Sequence, residues 1–398
     1  MKINRLIYND LVSQIEEPKI SILVGPRQVG KTFLLHELED EAKRRGLKTR
    51  FFDLEQPGDM ISLGATDKEQ FDAIASAGQV VFVDEMHLLK NISHIFKAIY
   101  DKKLKVKIFA SGSSALEMHK HLKESMAGRI IMNRIFPLCV SELKQIESYN
   151  EEDSMVYGGL PGLVNCAGKE AMIRELNSIV STYIAKDIKS LIKEENIRAF
   201  NHLIHLLAQY QGSVVASSNL SREIGLSKPT VEKYLKILLQ TYVCHSLNSY
   251  SKNMSNELKK SKKYYLFDPG IRNMLLKDFS LVSSREDAGV LKESFVLLNI
   301  IRQLKPNMEV RFWRTKRGDE IDFILLKNRV PLPVEVKSAL REPSIPGGIR
   351  IFLDNYANAA GAIVFNDDIV EDVQYAGKTV SFQNLFSSDR IGYLQQIS

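Results

Sequence analysis

Short apolar runs alternate with helical repeats through the first part of the chain. Lys19-Ile-Ser-Ile-Leu-Val24, Thr49-Arg-Phe-Phe-Asp-Leu54, Val80-Val-Phe-Val83 and Lys105-Val-Lys-Ile-Phe-Ala110 each read as a buried strand. Phe33-Leu-Leu-His-Glu-Leu38 opens a helix directly after the first of them. Strand and helix in alternation predict a parallel sheet covered on both faces. The pattern then changes. Phe200 to Tyr210 carries apolar residues at helical spacing and ends at Gln211-Gly212, and Asn219 to Leu226 is a short helix stopped by Gly225. Ser227-Lys-Pro-Thr-Val-Glu-Lys-Tyr-Leu-Lys-Ile-Leu-Leu239 starts with a hydroxyl cap and a proline in its first turn. Thr241 to Leu247 follows as a strand. In the last third, Gly289 to Ile301 is an apolar helix, and Val310–Arg314, Arg317–Leu325 and Leu332–Lys337 are strands. A helix near Ile349–Asn358 and the strand Gly361–Phe365 complete the series.

Between the first strand and the first helix, Gly25-Pro26-Arg27-Gln28-Val29-Gly30-Lys31-Thr32 forms a complete phosphate-binding loop motif. Its glycines let backbone N–H groups turn toward phosphate, Lys31 reaches the β- and γ-phosphates, and the Thr32 hydroxyl is a Mg²⁺ ligand. The strand ending in Asp84-Glu85 would place both acids beside that loop. Asp84 is expected to hold Mg²⁺ directly or through water, and Glu85 to polarise the attacking water. The strand ending near Ser111-Gly-Ser-Ser114 offers Ser111 or Ser113 as a sensor of the γ-phosphate, or simply as a helix cap. Arg129, with Arg134 close behind, is a candidate finger on a neighbouring subunit's nucleotide. ATP and Mg²⁺ are therefore the expected ligands.

Taken together, Gly25–Thr32, Val83-Asp-Glu85, Ser111–Ser114, Ala127-Gly-Arg129, Phe136-Pro-Leu138 and Tyr157-Gly-Gly-Leu-Pro161 occur in an order that resembles bacterial and archaeal AAA+-type ATPases with a C-terminal DUF4143 domain. The resemblance implies a helical lid from about Leu138 to Lys193, in which Tyr183–Ile188 matches a recurrent family segment. It also implies homo-oligomers promoted by ATP.

Helix, glycine turn and second helix make a helix-turn-helix layout, with Thr241–Leu247 as a wing strand. Ser227, Lys228, Thr230 and Lys233 would face DNA, or the unit would serve only for packing. The lysines of Leu258-Lys-Lys-Ser-Lys-Lys263 would touch phosphates or solubilise a linker. In the last third, helix–strand–strand–strand–helix–strand with Asp322, then Glu335-Val-Lys337, resembles the PD-(D/E)XK nuclease fold. Glu293, Asp322 and Glu335 would form a divalent-metal shell, and Lys337 would steer or deprotonate water. Asp319-Glu320 is expected to be solvated.

The fold class is thus α/β in three parts: a P-loop AAA+-like ATPase domain with helical lid (1–195), a winged-helix domain (196–255) and a nuclease-like α/β domain (256–398). Composition changes this picture little. The 398 residues are 44% hydrophobic and 26% charged, with a net charge of +6, as in an ordinary globular protein. Cys139, Cys166 and Cys244 have no metal or disulfide spacing. No signal-peptide or membrane-length apolar run is seen, so a cytoplasmic location is expected. Two function classes remain: an ATP-gated enzyme acting on DNA, and a nucleotide switch gripping a partner protein.

Overall fold

A computed structural model describes residues 2–112, 126–147, 149–183, 197–251 and 261–395. They divide into two compact units. The first comprises Met1–Leu138 with Leu160–Val164 and Ile237–Val243; the second comprises Cys139–Gly159, Asn165–Lys236 and Cys244–Ser398. Among the described residues no helix is long and apolar enough to cross a membrane.

In the first unit the elements run α1 (Tyr8–Ser13), β1 (Ile20–Val24), α2 (Lys31–Arg44), β2 (Thr49–Asp53), α3 (Pro57–Leu63), α4 (Asp67–Ser76), β3 (Val80–Asp84), α5 (Ile92–Asp101), β4 (Lys107–Gly112) and β5 (Ile130–Arg134). The five strands pair in parallel in the order β2-β3-β4-β1-β5. Parallel strands covered on both faces must be apolar throughout, and β1, β3 and β4 are buried along their whole length. One face packs Ile22, Val24, Val81, Val83 and Ile108 with Ile95 and Phe96 of α5. On the other face, Phe51, Phe82 and Phe109 stand in register on adjacent strands and stack at 6.0 and 5.6 Å. His36 of α2 continues the stack at 4.2 Å from Phe51. This order sets the C-terminal ends of β1, β4 and β3 side by side, which is where ligands of such sheets bind.

The second unit begins with α6 (Val140–Leu143), α7 (Glu151–Val156) and α8 (Lys169–Tyr183). Next come α9 (Ile197–Gln209), β6 (Val214–Val215), α10 (Ser217–Ile224), α11 (Lys228–Gln240, which from Ile237 on is counted with the first unit), β7 (Cys244–Leu247), β8 (Lys262–Leu266) and α12 (Pro269–Leu276). The strands form a small antiparallel sheet, β6-β8-β7. The last stretch holds α13 (Ala288–Gln303), β9 (Met308–Arg314), β10 (Glu320–Lys327), β11 (Val330–Val336), α14 (Gly347–Asn355), β12 (Ala362–Asn366), β13 (Glu371–Tyr375) and β14 (Lys378–Asn384). Its sheet order is β13-β14-β12-β11-β10-β9. Strands β9, β10 and β11 are antiparallel, and β12 joins β11 in parallel after the α14 crossover. Trp313 meets Phe352 edge-to-face at 5.4 Å in the core between sheet and α14.

The division differs from the boundaries at 195 and 255 expected from sequence. Strand β8 completes the sheet begun by β6 and β7, so that layout runs on past 255. Among the described residues of the expected lid after Leu138, only Leu160–Val164 belongs with the first unit. The reason is a buried polar latch. Asp268 caps α12, accepting from Ile271 N at 3.2 Å, and also accepts from Gly159 N at 2.8 Å. Asn273 Nδ2 donates to the carbonyls of Met155 (3.0 Å) and Val156 (2.8 Å). Burial pushes the Asp268 pKa up to about 6, opposed by the N–H donors of Gly159 and Ile271. A Cβ on Gly270 would overlap the Tyr157 carbonyl oxygen. Tyr183 ends α8, and the rest of Tyr183–Ile188 lies outside the described residues.

Asp268→Ala is expected to cost about 2 kcal/mol, through loss of the cap and stranding of the Gly159 N–H. Gly270→Ala should cost about 1–3 kcal/mol by overpacking. Urea unfolding measures both, and an unchanged midpoint for Gly270→Ala would show that the approach to Tyr157 is not tight.

Candidate nucleotide site and acidic cluster

Strand β1 runs straight into the phosphate loop. Gly25 has φ +152° and lies so close to Ile135 that a Cβ would overlap its carbonyl oxygen. Gln28 (φ +60°) and Gly30 (φ +88°) are both left-handed, the conformation that folds the loop back over the start of α2. Gly30 is the N-cap of α2, and no side chain caps that helix end. Lys31 is buried, its ammonium donating to the carbonyls of Gly25 (3.1 Å) and Pro26 (2.7 Å). Thr32 is exposed beside it. Sequence reasoning missed Arg5. Its guanidinium is buried and donates to Val29 O of the loop at 2.9 Å and to Phe136 O at 2.7 Å. These partners are 24 and 131 residues away in sequence, so no local signal marks the contact. Pro161 flanks the loop as well, 3.7 Å from where a Gly30 Cβ would stand.

Asp84, the last residue of β3, is buried and accepts from the Ser111 hydroxyl of β4. Glu85 N donates at 3.2 Å to both Asp84 Oδ1 and Ser111 Oγ. Glu85 itself is left-handed (φ +52°), a conformation costing a non-glycine residue about 1–3 kcal/mol and concentrated at functional sites. Its Oε2 lies 3.0 Å from His87 Nδ1. His87 was also missed, although its place two residues after Glu85 is a signal that sequence offered. Ser113 lies outside the described residues. A hydroxyl (Thr32, after the β1 loop) and a carboxylate (Asp84, at the end of β3, with β4 between the two strands) are the hard oxygen donors that Mg²⁺ requires.

The two arginines occupy opposite ends of the sheet. Arg129 O accepts from Ile20 N at the start of β1, about 16 Å of strand away from the phosphate loop. Its guanidinium pairs with Asp101 through Nε (2.7 Å) and Nη2 (3.2 Å). That hydrogen bonding lowers the Asp101 pKa and raises that of Arg129. Beside this pair opens a cleft of about 740 Å³, lined in part by Glu17, Tyr100 and Lys107. Burial there takes the Lys107 pKa down to about 7. Arg134 instead pairs with Val24 at the loop end, half-buried between the rings of Phe136 (4.8 Å) and Tyr242 (4.9 Å). Only Arg134, therefore, is near its own unit's phosphate loop.

In the second unit, a break in register between Ile321 and Ile324 interrupts the β9–β10 pairing around Asp322. Asp322 Oδ2 accepts from Val336 N at 2.8 Å, and Glu335 Oε2 from Asp322 N at 3.4 Å. Lys337 Nζ donates to Glu335 Oε1 at 2.7 Å. Burial, then repulsion from Glu293 and Glu335, holds the Asp322 carboxyl well above the usual range. Burial also raises Glu335, against the pull of Lys337. The four expected residues thus meet, but not as a metal shell. Among the described residues no three His, Cys, Asp or Glu side chains are placed to hold an ion. Lys263 of β8, expected to touch phosphates or to solubilise a linker, is buried and pairs with Glu293 (3.3 Å) and Glu320 (2.6 Å). Glu320, expected to be solvated, is half-buried and joins the cluster through Lys263. Tyr265, also from β8, donates its hydroxyl to Glu293 Oε1.

Three stretches match known families. Residues 17–144 match the family described as AAA domain, residues 148–281 a domain of unknown function (DUF8612), and residues 288–382 a domain of unknown function (DUF4143). The chain is similar to an AAA domain placed ahead of a DUF4143 domain. The DUF8612 match spans α7 to α12, so it takes in β8 and the Asp268 latch. An uncharacterized protein of Mycobacterium tuberculosis is 24% identical over 349 residues, covering 87% of this chain and 76% of its own. One from Methanocaldococcus jannaschii is 22% identical over 399 residues, covering 93% and 87%. Among solved structures, AMPPCP-bound DnaA from Aquifex aeolicus has a TM-score of 0.33 at 16% identity, over 60% of this chain and 89% of that one. Cdc6p from Pyrobaculum aerophilum has a TM-score of 0.28 at 13% identity, over 72% and 93%.

Arg5→Ala removes two charge-assisted hydrogen bonds that brace the loop. ATP affinity is expected to fall about tenfold. Nucleotide titration measures it, and unchanged affinity in a folded variant would show that the loop holds its shape without Arg5.

Proposed function

We propose that the chain is an AAA+-type, Mg²⁺-dependent ATP hydrolase in its first unit, which couples nucleotide state to a target gripped by the second. The observation that carries this reading is the phosphate loop ending on buried Lys31, with Asp84, Glu85 and Ser111 on the neighbouring strand ends. Backbone N–H groups of the loop and the Lys31 ammonium bind the β- and γ-phosphates. Glu85 takes a proton from the attacking water, and His87 orients the Glu85 carboxylate. Mg²⁺, held by Thr32 and Asp84, would neutralise charge on the transferring phosphoryl group. Coupling is supported by chain connectivity. Leu160–Val164 and Ile237–Val243 belong to the first unit while the chain on either side belongs to the second.

For the second unit, α13, three antiparallel strands, α14 and β12 support a nuclease-like fold, and the lysine-paired acids support its use as a binding module. A protein target suits the mixed charge of α10 and α11, where Lys228 lies 3.6 Å from Glu232. A second reading takes DNA, because Arg222, Lys228, Lys233 and Lys236 are all exposed on these two helices.

Lys31→Ala should weaken ATP binding about 10- to 100-fold. Glu85→Gln should bind ATP but hydrolyse it about 10²- to 10⁴-fold more slowly. Turnover at the wild-type rate by Glu85→Gln would remove Glu85 as the catalytic base.

Arg129 is too far from its own loop to act in cis, so its proposed role as a finger requires ATP-promoted homo-oligomers. Light scattering should show Glu85→Gln assembling with ATP, and Arg129→Ala should slow hydrolysis about 10³-fold or more. A protein that stays monomeric while hydrolysing ATP at full rate would dispose of both the assembly and the finger.

A further inference from the structure

A lysine with a side chain only 2% exposed needs a reason to be charged. Lys263 has one on each side. Its ammonium lies 3.3 Å from Glu293 Oε1 and 2.6 Å from Glu320 Oε1, and its position lies over the Phe312 ring at 5.5 Å. Burial disfavours its charge, and the two carboxylates within reach offset that cost. A divalent ion would need oxygens of Glu293, Asp322 and Glu335 to converge on one point at about 2.0–2.6 Å. Each is directed elsewhere: Glu293 to Tyr265 and Lys263, Asp322 to the Val336 N–H, and Glu335 to Lys337 and the Asp322 N–H. Side chains on β8 alternate faces, so Lys263 and Tyr265 reach the cluster together from one strand.

We infer that Lys263 is the resident cation of this acidic cluster: its ammonium, delivered by β8, takes the place of a divalent ion and keeps the nuclease-like module of the intact chain metal-free. The attraction that would draw a metal to Glu293 and Asp322 is met from inside the protein. Buried as it is, Lys263 cannot swing into water without moving β8, and a divalent ion entering beside it would meet like charge. The cluster then ties the small sheet to the large one as a salt-bridge core. This inference is independent of ATP hydrolysis, since it concerns the nucleotide-free chain and residues outside the phosphate loop.

The test uses the full chain without nucleotide, titrated with Mn²⁺ and followed by electron paramagnetic resonance of the free ion and by melting temperature. Wild type should bind no stoichiometric Mn²⁺ and should not shift its melting temperature. Lys263→Met should melt lower in chelator, gain one Mn²⁺ site at least about tenfold tighter than any in wild type, and recover stability with the ion. Adding Asp322→Asn should abolish the new site, which assigns it to the cluster. Lys263→Gln, which keeps hydrogen bonding to Glu293 and Glu320, carries the same test if the Met variant does not fold. If both are unfolded in chelator, recovery of native circular dichroism with Mn²⁺ supports the inference and failure to recover overturns it. One Mn²⁺ per wild-type chain, lost in Asp322→Asn, overturns it directly. So does a folded Lys263 variant that binds no Mn²⁺.

Discussion

The contact between Gly25 and the backbone of Ile135 sets the geometry of the phosphate loop. Strand β1 lies between β4 and β5, and the Ile135 N–H donates to the Val24 carbonyl at 2.7 Å. The chain leaving β1 must pass against this backbone, and only a residue without a Cβ fits. From there the left-handed Gln28 and Gly30 turn the loop, and α2 starts with Lys31 buried under it. Arg5 braces the same corner by joining Val29 to Phe136, one residue after Ile135. Lys31 donates to the Gly25 and Pro26 carbonyls, so under the proposed function phosphate oxygens would compete with the loop's own backbone.

The two candidate sites handle buried charge in opposite ways. At the first, Asp84 is buried but satisfied by short-range donors, the Ser111 hydroxyl and the Glu85 N–H, and the strain is carried by the Glu85 backbone. Under the proposed function, that arrangement leaves an acid available to an external cation and substrate. In the second unit, several carboxylates crowd together and the protein supplies its own cations, Lys263 and Lys337. Removing one partner of such a network strands the rest, which is why these residues are costly to change whether or not they do chemistry. The Asp268 latch follows the same rule on a smaller scale, with backbone N–H groups as the donors.

Local pattern made a large part of this legible. The phosphate loop, the acid-ended strand β3 and the parallel α/β alternation follow from residues adjacent in sequence. So do the helix–three-strand–helix–strand order of the last stretch and the two helices flanking Gly225. Strands buried on both faces have to be apolar, and loops that bind phosphate have to carry glycine, so periodicity and motif were sufficient. The pairing of Asp322 with Glu335-x-Lys337 was visible for a similar reason, because alternation on strands fixes which side chains share a face.

What neighbours in space impose could not be read this way. Arg5 meets the loop across 24 residues and Phe136 across 131, and nothing near Arg5 in sequence distinguishes it from a surface arginine. The basic run ending at Lys263 resembles a solvated linker until β8 pairs with β6 and β7 and buries its last lysine among acids. The expected lid divides because Asp268 and Asn273 hold the chain from Met155 to Gly159, more than a hundred residues earlier. Arg129 and Arg134 are five residues apart, yet one strand of β-structure carries them to opposite ends of the sheet. Sequence by itself determined the elements and the residue types that chemistry requires. Tertiary structure decided which charges meet, because the energy of a buried charge depends on partners that only folding brings within a few ångströms.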